Sequence, residues 1–289
     1  MFYGKNIRSK YRTFKNGTTM PKDFKKVPAI DKCFAILQLL AKSKQALGIS
    51  EISQLLDLNK STVFNIIYTL KHLGALEQHH DGKFHFGTLL YLLGNSSGKT
   101  ADLIQTVHPY LAKINRETKL SAFLGIRSEL QAIIVDKVDM AYDIKVSSEI
   151  GMRLPLLAGA GGKALLSQLS DEEIDQIVTE NGLTQFTSKT CTDGRKFKKD
   201  VLRTREDGIA FENEEYIEGV VAFAAPIKAY RKDLQAAIWA VGLKHQVSSK
   251  NASKINELLK NIGAEINLRF ARTEMSATAR ENFLGGNYG

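Results

Sequence analysis

Apolar residues recur at helical spacing from residue 30 onward. Ile30, Phe34, Ile36, Leu37, Leu39 and Leu40 outline a short first helix that ends before residues 45–48. Ser50 is placed to cap a second helix, with Glu51 giving its first turn a favourable charge and Ile52, Leu55 and Leu56 forming its apolar side. Asp57-Leu58-Asn59 reads as a turn, and Asn59 as the cap of a third helix that runs to about His72 and is stopped by Gly74. Residues 76–78 and 84–86 then flank His79-His80-Asp81-Gly82-Lys83, whose Asp-Gly pair predicts a hairpin. Helix, helix, turn, helix, hairpin is the outline of a winged helix-turn-helix.

Residues 89–93 and 100–118 return to helical spacing, through Leu103, Ile104, Val107, Leu111 and Ile114. Asn95-Ser96-Ser97-Gly98 interrupts them and is the candidate interdomain linker. Farther on, apolar segments at 122–126, 132–138, 209–211, 220–227 and 234–241 predict strands, with a turn at Arg231-Lys232. Helices are predicted over 162–168, 171–180 (opened by a Ser170/Glu173 capping box) and 196–206, and a last long one buries Ile255, Leu258, Leu259, Ile262, Ile266 and Phe270. The predicted class is α+β. Its parts are a flexible basic arm (1–26), a winged helix-turn-helix (27–88), a helical linker (89–118), an α/β domain (119–270) and a loose tail (271–289).

Charge sharpens this division. Through Asn95 there are fourteen Lys and Arg against six Asp and Glu, a surplus of eight, whereas the remainder holds 26 against 25. Nearly all of the net +9 therefore lies on the first third, where a polyanion would be held. The arm carries eight of these cations and is read either as a DNA-seeking extension or as a solvated tail without a role. No run of eighteen uncharged apolar residues occurs and the basic start lacks the apolar stretch of a secretory signal, so a cytoplasmic protein with no membrane partner is expected. Cys33 and Cys191 stand far apart without a CxxC partner, which argues against a disulfide framework or a structural zinc site.

The third helix carries the candidate chemistry. At about 100° per residue, Val63, Ile66, Ile67, Leu70 and Leu73 gather on one face, and Ser61, Phe64, Asn65, Tyr68 and His72 on the other, flanked by Lys60 and Lys71. The second face suits the major groove of duplex DNA. Asn65 can make paired hydrogen bonds to adenine, Ser61 and Thr62 can bind phosphate at the helix N-terminus, and Phe64 can meet a thymine methyl. Lys60, Tyr68, Lys71 and the hairpin's Lys83 complete the DNA-binding set. The competing reading, an ordinary amphipathic helix, leaves two aromatics facing water without cause. His79, His80 and His85 are read as solvated or phosphate-contacting rather than metal-binding, because side chains at 79 and 80 of a strand point apart and no carboxylate or thiolate spacing completes a set. No cofactor or metal is expected.

Val27-Pro28-Ala29-Ile30-Asp31-Lys32, Ala35-Ile36-Leu37, Ile49-Ser50-Glu51-Ile52, Asn59-Lys60-Ser61-Thr62-Val63 and Asp81-Gly82-Lys83-Phe84 resemble the N-terminal half of IclR-type transcriptional regulators. The resemblance continues through Gly151-Met152-Arg153-Leu154-Pro155-Leu156, Gly162-Lys163-Ala164-Leu165-Leu166, Gly208-Ile209-Ala210 and residues 219–226. It implies a winged-helix DNA-binding domain, a helical linker and a GAF-like domain that binds a small molecule, working as a homodimer or dimer of dimers on operator DNA.

By the same resemblance the effector-binding residues are Leu154, Ala160, Gly161, Glu212, Val220, Ala222, Trp239 and Val241. Family members with cysteine and serines at the last three positions can hydrogen-bond a small keto acid there. In this chain Ala222, Trp239 and Val241 remove those partners and add an indole. Either the pocket accepts a flatter, more apolar ligand against Trp239, with a small organic acid or aromatic effector expected, or the indole fills it and the sensor is ligand-insensitive. Glu212 offers a carboxylate to ligand hydroxyls, or is a solvent-exposed neighbour of Glu214 and Glu215. The amides of Ala160, Gly161 and Gly162 form either an anion cradle or a tight turn. They are not a nucleotide P-loop, which needs Gly at Leu157 and Ser or Thr at Ala164. The chain lacks GxSxG, HExxH and dinucleotide fingerprints, so no catalytic residue is assigned and an enzyme with a nucleic-acid anchor is the lesser alternative.

Overall fold

The computed structural model describes residues 25–43, 45–96, 99–139, 146, 148–228 and 234–285. Most of the basic arm, the centre of the candidate linker at 97–98 and the turn at 231–232 lie outside the described residues. The chain divides into two units, Met1–Ala101 and Asp102–Gly289.

In the first unit, α1 (Pro28–Lys42), α2 (Ile49–Leu56) and α3 (Lys60–His72) precede an antiparallel hairpin of β1 (Leu76–Gln78) and β2 (Phe84–Phe86), and α4 (Thr88–Ser96) follows. Ile36, Leu40, Ile52, Val63, Ile67, Leu70, Leu76 and Phe84 form one core. Gly48, not Ser50, is the N-cap of α2, and the Glu51 carboxylate accepts the Gly48 N–H at 2.7 Å. Glu51 thus supplies the capping that Ser50 was expected to give. Asn59 occupies the N-cap of α3 without a side-chain bond. Between these helices Asp57 takes φ 55°, and Ser53 Oγ donates to the Leu58 carbonyl at 2.6 Å. Gly74, at φ 77°, lets the Ala75 N–H reach back to the Leu70 carbonyl at 2.8 Å and ends α3. The apolar face of α3 is narrower than its angular pattern suggests, because Leu73 already lies past the helix and is exposed. Ile30 and Phe34 of α1 are exposed as well.

The second unit is built on a six-stranded antiparallel sheet in the order β5 (Arg153–Pro155), β4 (Gln131–Val138), β3 (Ser121–Ser128), β8 (Gln235–Leu243), β7 (Val220–Lys228), β6 (Ala210–Asn213). One face is covered by α5 (Lys99–Thr118), through Leu103, Val107, Leu111 and Ile114, and by α9 (Ser249–Gly285), through Ile255, Leu259, Ile262, Ile266 and Phe270. The other face carries α6 (Gly159–Leu166), α7 (Asp171–Asn181) and α8 (Gly194–Asp207), with Ala164, Leu165, Ile174, Phe197 and Val201 buried against it. Covering both faces explains why β7 and β8 read as continuous apolar runs rather than alternating ones. The predicted capping box of α7 forms, with Ser170 and Glu173 bonded reciprocally at 3.2 and 2.8 Å.

Two further features depart from expectation. β5 was not predicted, being three residues long and ending in Pro155, which an edge strand tolerates. The stretch from Ala271, expected to be loose, continues α9 as far as Gly285. It lacks an apolar stripe, but no Gly or Pro interrupts it before Gly285, and Ala, Arg and Glu, which favour helix, make up nearly half of it.

Arg205 ties α8 to the turn between α6 and α7, donating to the carbonyls of Ser167 (2.9 Å) and Leu169 (2.6 Å) and to Asp171 (2.7 Å). Only the guanidinium fork spans all three. Arg205→Ala should lower the stability of this unit by about 2 kcal/mol, with Arg205→Lys restoring less than half, as read by urea denaturation.

Candidate functional site

The first unit presents α3 to solvent along one side. Lys60, Ser61, Phe64, Asn65, Tyr68 and Lys71 are exposed, and Thr62 is half-buried. The Phe64 and Tyr68 rings lie 4.4 Å apart, and Tyr68 meets the buried wing residue Phe84 edge-on at 6.1 Å. Lys71 Nζ sits 5.4 Å from the Tyr68 ring and donates to Gln78 of β1 at 2.8 Å. The wing is fixed from the other side, where the Phe84 N–H donates to the Leu47 carbonyl at 3.0 Å. Lys83 follows the hairpin turn and is half-buried, its N–H bonded to Asp81 at 3.1 Å. All eight predicted DNA-contacting residues therefore belong to one helix and the adjoining wing. The register also joins a pair not anticipated: His79 and His85 share a face, rings 4.3 Å apart, with His85 Nε2 3.6 Å from Glu77. Among the described residues no group of three or more His, Cys, Asp or Glu is arranged to hold a metal ion.

In the second unit a cavity of about 70 Å³ lies between the sheet and the start of α6. Leu154, Ala160, Gly161, Glu212, Val220, Ala222, Trp239 and Val241 all line it, joined by Phe123 and Ala132 from β3 and β4, Val146 and Ser148, and Tyr216 and Ile217. The last six were not singled out from the sequence. The inward alternation of β3 and β4 could have marked Phe123 and Ala132, whereas Tyr216 and Ile217 sit on a loop with no periodic signal. α6 begins at Gly159, a turn earlier than expected, with Ala158 as an N-cap that makes no side-chain bond. Its first-turn amides point from an uncapped helix end. At Gly162 an added Cβ would fall 2.0 Å from the Leu156 carbonyl oxygen, so this glycine serves close packing of α6 on the preceding loop.

Glu212 is not the solvent-exposed residue that its acidic neighbours suggested. β6 alternates, burying Ala210 and Glu212 and exposing Phe211 and Asn213, and Glu212 is only 5% exposed. Its Oε2 accepts the amides of Glu215 (3.1 Å) and Tyr216 (3.3 Å). Burial, reinforced by nearby Glu215, pushes its carboxyl up to about 7 against the pull of these amides and of Lys163. Lys163, itself buried, is paired with Glu215 at 2.7 Å. Glu214 behaves oppositely: hydrogen bonds from Lys189 (2.5 Å), Lys244 and the Gly219 amide hold its carboxyl down at about 2. Thr187 and Thr190 hydroxyls donate to the Glu214 and Glu215 carbonyls, each at 2.6 Å, fixing the loop that carries Tyr216 and Ile217 to the cavity.

A cation-flanked, solvent-facing third helix beside a wing in one unit and a lined cavity on a two-faced sheet in the other are the parts of a two-domain DNA-binding transcriptional regulator. The family models described as "IclR helix-turn-helix domain" and "Bacterial transcriptional regulator IclR C-terminal" match residues 29–80 and 96–268. The chain belongs to the IclR family of bacterial transcriptional regulators. Transcriptional repressor IclR of Escherichia coli K12 is 26% identical over 247 residues, spanning 84% of this chain and 90% of that protein. HTH-type transcriptional regulator KdgR of the same organism is 32% identical over 202 residues, spanning 70% and 76%. The crystal structure of an IclR homolog complexed with 4-hydroxybenzoate, from Microbacterium hydrocarbonoxydans, shares the fold at a TM-score of 0.72 and 18% identity, over 84% of this chain and 99% of that one.

The raised carboxyl of Glu212 gives a pH signature. Below about pH 4.5 it is neutral whether the chain is folded or not; from there to about 7 the folded state keeps a proton that the unfolded state releases. Stability should therefore fall as pH rises through this window, by an amount on the order of 3 kcal/mol. Glu212→Gln should remove that fall, leaving the variant the more stable of the two at pH 8.5 and equal to wild type at pH 4, by chemical denaturation.

Proposed function

We propose that the first unit reads operator DNA with α3 in the major groove, and that the second binds a small organic acid or aromatic effector in its cavity. The exposed face of α3 carries this reading: Phe64, Asn65 and Tyr68 stand in water beside Lys60 and Lys71, on the part of the chain that holds the charge surplus. Lys60, Ser61 and Thr62 engage phosphate, Asn65 a base edge, Phe64 a methyl group, and Lys83 the backbone beside the wing. The relatives named above are regulators, and IclR of Escherichia coli is named a repressor, which supports a repressing and non-enzymatic role. Among the described residues no helix is long and apolar enough to cross a membrane, in keeping with work on cytoplasmic DNA.

Two copies would present two such helices. Val27, Ile30 and Phe34 at α1 and Tyr91, Leu92 and Leu93 on α4 are all more than half exposed, an apolar surface suited to a second copy of the chain. Effector acts by favouring one spacing of the paired DNA heads over another, through the linker helix α5.

Asn65→Ala should reduce discrimination between the selected operator and random duplex by about 1–3 kcal/mol, whereas Lys60→Ala should weaken both alike. Equal losses on both duplexes for Asn65→Ala would sink the base-reading role. Phe34→Asp should shift the chain toward monomer in sedimentation velocity; an unchanged dimer would exclude α1 from the interface.

A further inference from the structure

The space inside the cavity is set by one side chain. Trp239 is the chain's single tryptophan, lies on β8 between β3 and β7, and is 3% exposed. Its indole spreads over two glycines. At Gly125 of β3 an added Cβ would fall 2.1 Å from Cη2, and at Gly161 of α6 an added Cβ would lie 3.2 Å from Cε2. Any other residue at 125 would collide with the indole, so Trp239 and Gly125 work as a matched pair, and Gly161 lets α6 close over the ring. The room left, about 70 Å³, is less than half of the ~150 Å³ with which an apolar cavity takes up benzene.

The polar features of what remains are few. Ala222, Val220 and Val241 contribute only apolar surface, which leaves the polar groups of Ser148, Tyr216 and Glu212, whose Oε2 is already held by two amides, and the uncapped first turn of α6. Glu212 sits beside that turn, its carboxyl carbon 3.7 Å from where a Cβ on Gly159 would stand. A ligand that satisfies both carries a carboxylate for the amides and a hydroxyl for Glu212, separated by one or two carbons.

We propose that Trp239 is the specificity-determining residue of this cavity, restricting it to two- and three-carbon hydroxy acids and excluding aromatic acids. The proposal rests on the reading of the cavity as the effector site. It resolves the two roles open to the indole in favour of partial filling: Trp239 is neither a stacking platform for a flat ligand nor a complete plug.

The test is calorimetric titration of the full chain with glycolate, lactate, benzoate and 4-hydroxybenzoate, for wild type, Trp239→Ala and Trp239→Phe. Wild type should bind glycolate or lactate at least tenfold more tightly than either aromatic acid, with a change in Trp239 fluorescence. Trp239→Ala should raise the ratio of benzoate to glycolate affinity at least tenfold, and Trp239→Phe, which keeps an aromatic residue on β8, should fall between. Wild type binding benzoate as tightly as glycolate, or a ratio unmoved in both variants, overturns the size restriction and leaves the effector site standing. Failure of all four acids to bind any of the three proteins overturns the effector-site reading along with it.

Discussion

The sheet of the second unit has to be covered on both sides, and most of the remaining architecture follows from that. β7 and β8 are buried along almost their whole length, so exposing either face would put a wide apolar surface in water. α5 and α9 cover one side. α6 to α8 close the other except where the cavity lies. A consequence is that the cavity and α5 sit on opposite faces of the same strands. β3 sends Phe123 to the cavity and Leu124 to the α5 side. A register shift places Gly125 opposite Ile134 but Leu124 opposite Asp136, and Asp136 lies 2.8 Å from His108 Nδ1 of α5. Any movement of β3 or β4 that accompanies filling of the cavity is a movement of the surface on which α5 rests.

The first unit obeys a different constraint, that of one short helix serving two surfaces. Val63, Ile67 and Leu70 must hold α3 to α1 and α2, and the residues between them are left to water. Because α3 is pinned on three contacts a turn apart, its other side is presented in a defined orientation without help from a ligand. Phe84 extends that rigidity to the wing: it is fully buried, bonded through its N–H to Leu47, and meets Tyr68 at its ring edge. Helix and wing therefore form one preorganised surface, which limits the ordering cost of binding.

Where packing periodicity decides an element, the sequence is legible. α3 with its two faces, the hairpin around Asp81-Gly82 and the long strands β7 and β8 all stand within a few residues of their predicted places. The failures lie where apolar periodicity does not decide the outcome. Ser50 and Gly48 compete for one cap, and the Glu51 side chain settles it from inside the helix. The end of α9 forms without an apolar stripe, so a reading based on burial passes over it. The size of the cavity was out of reach for a further reason: it depends on Trp239 meeting Gly125 and Gly161, positions far apart in sequence whose small size carries no signal alone.

Glu212 and Glu214 show how far position outweighs residue type. They are two residues apart, yet one carboxyl is pushed up to about 7 and the other held at about 2. Strand alternation turns Glu212 inward, where burial penalises its charge and two amides and Lys163 offset that penalty only in part. The chain then leaves the strand, Glu214 adopts φ 63°, and its carboxylate emerges among Lys189, Lys244 and the Gly219 amide, where charge is favoured. The division suits a sensing cavity. Glu214 stays ionised across the physiological range and keeps its bonds to Lys189, Lys244 and the Gly219 amide there. Glu212, its carboxyl pushed up to about 7 by burial, holds its charge far less firmly. An anionic guest drawing near would raise its carboxyl further and be accommodated by proton uptake, which a carboxylate placed like Glu214 would oppose. The rim is thus built to be rigid and the floor to be responsive, from the same side chain two positions apart.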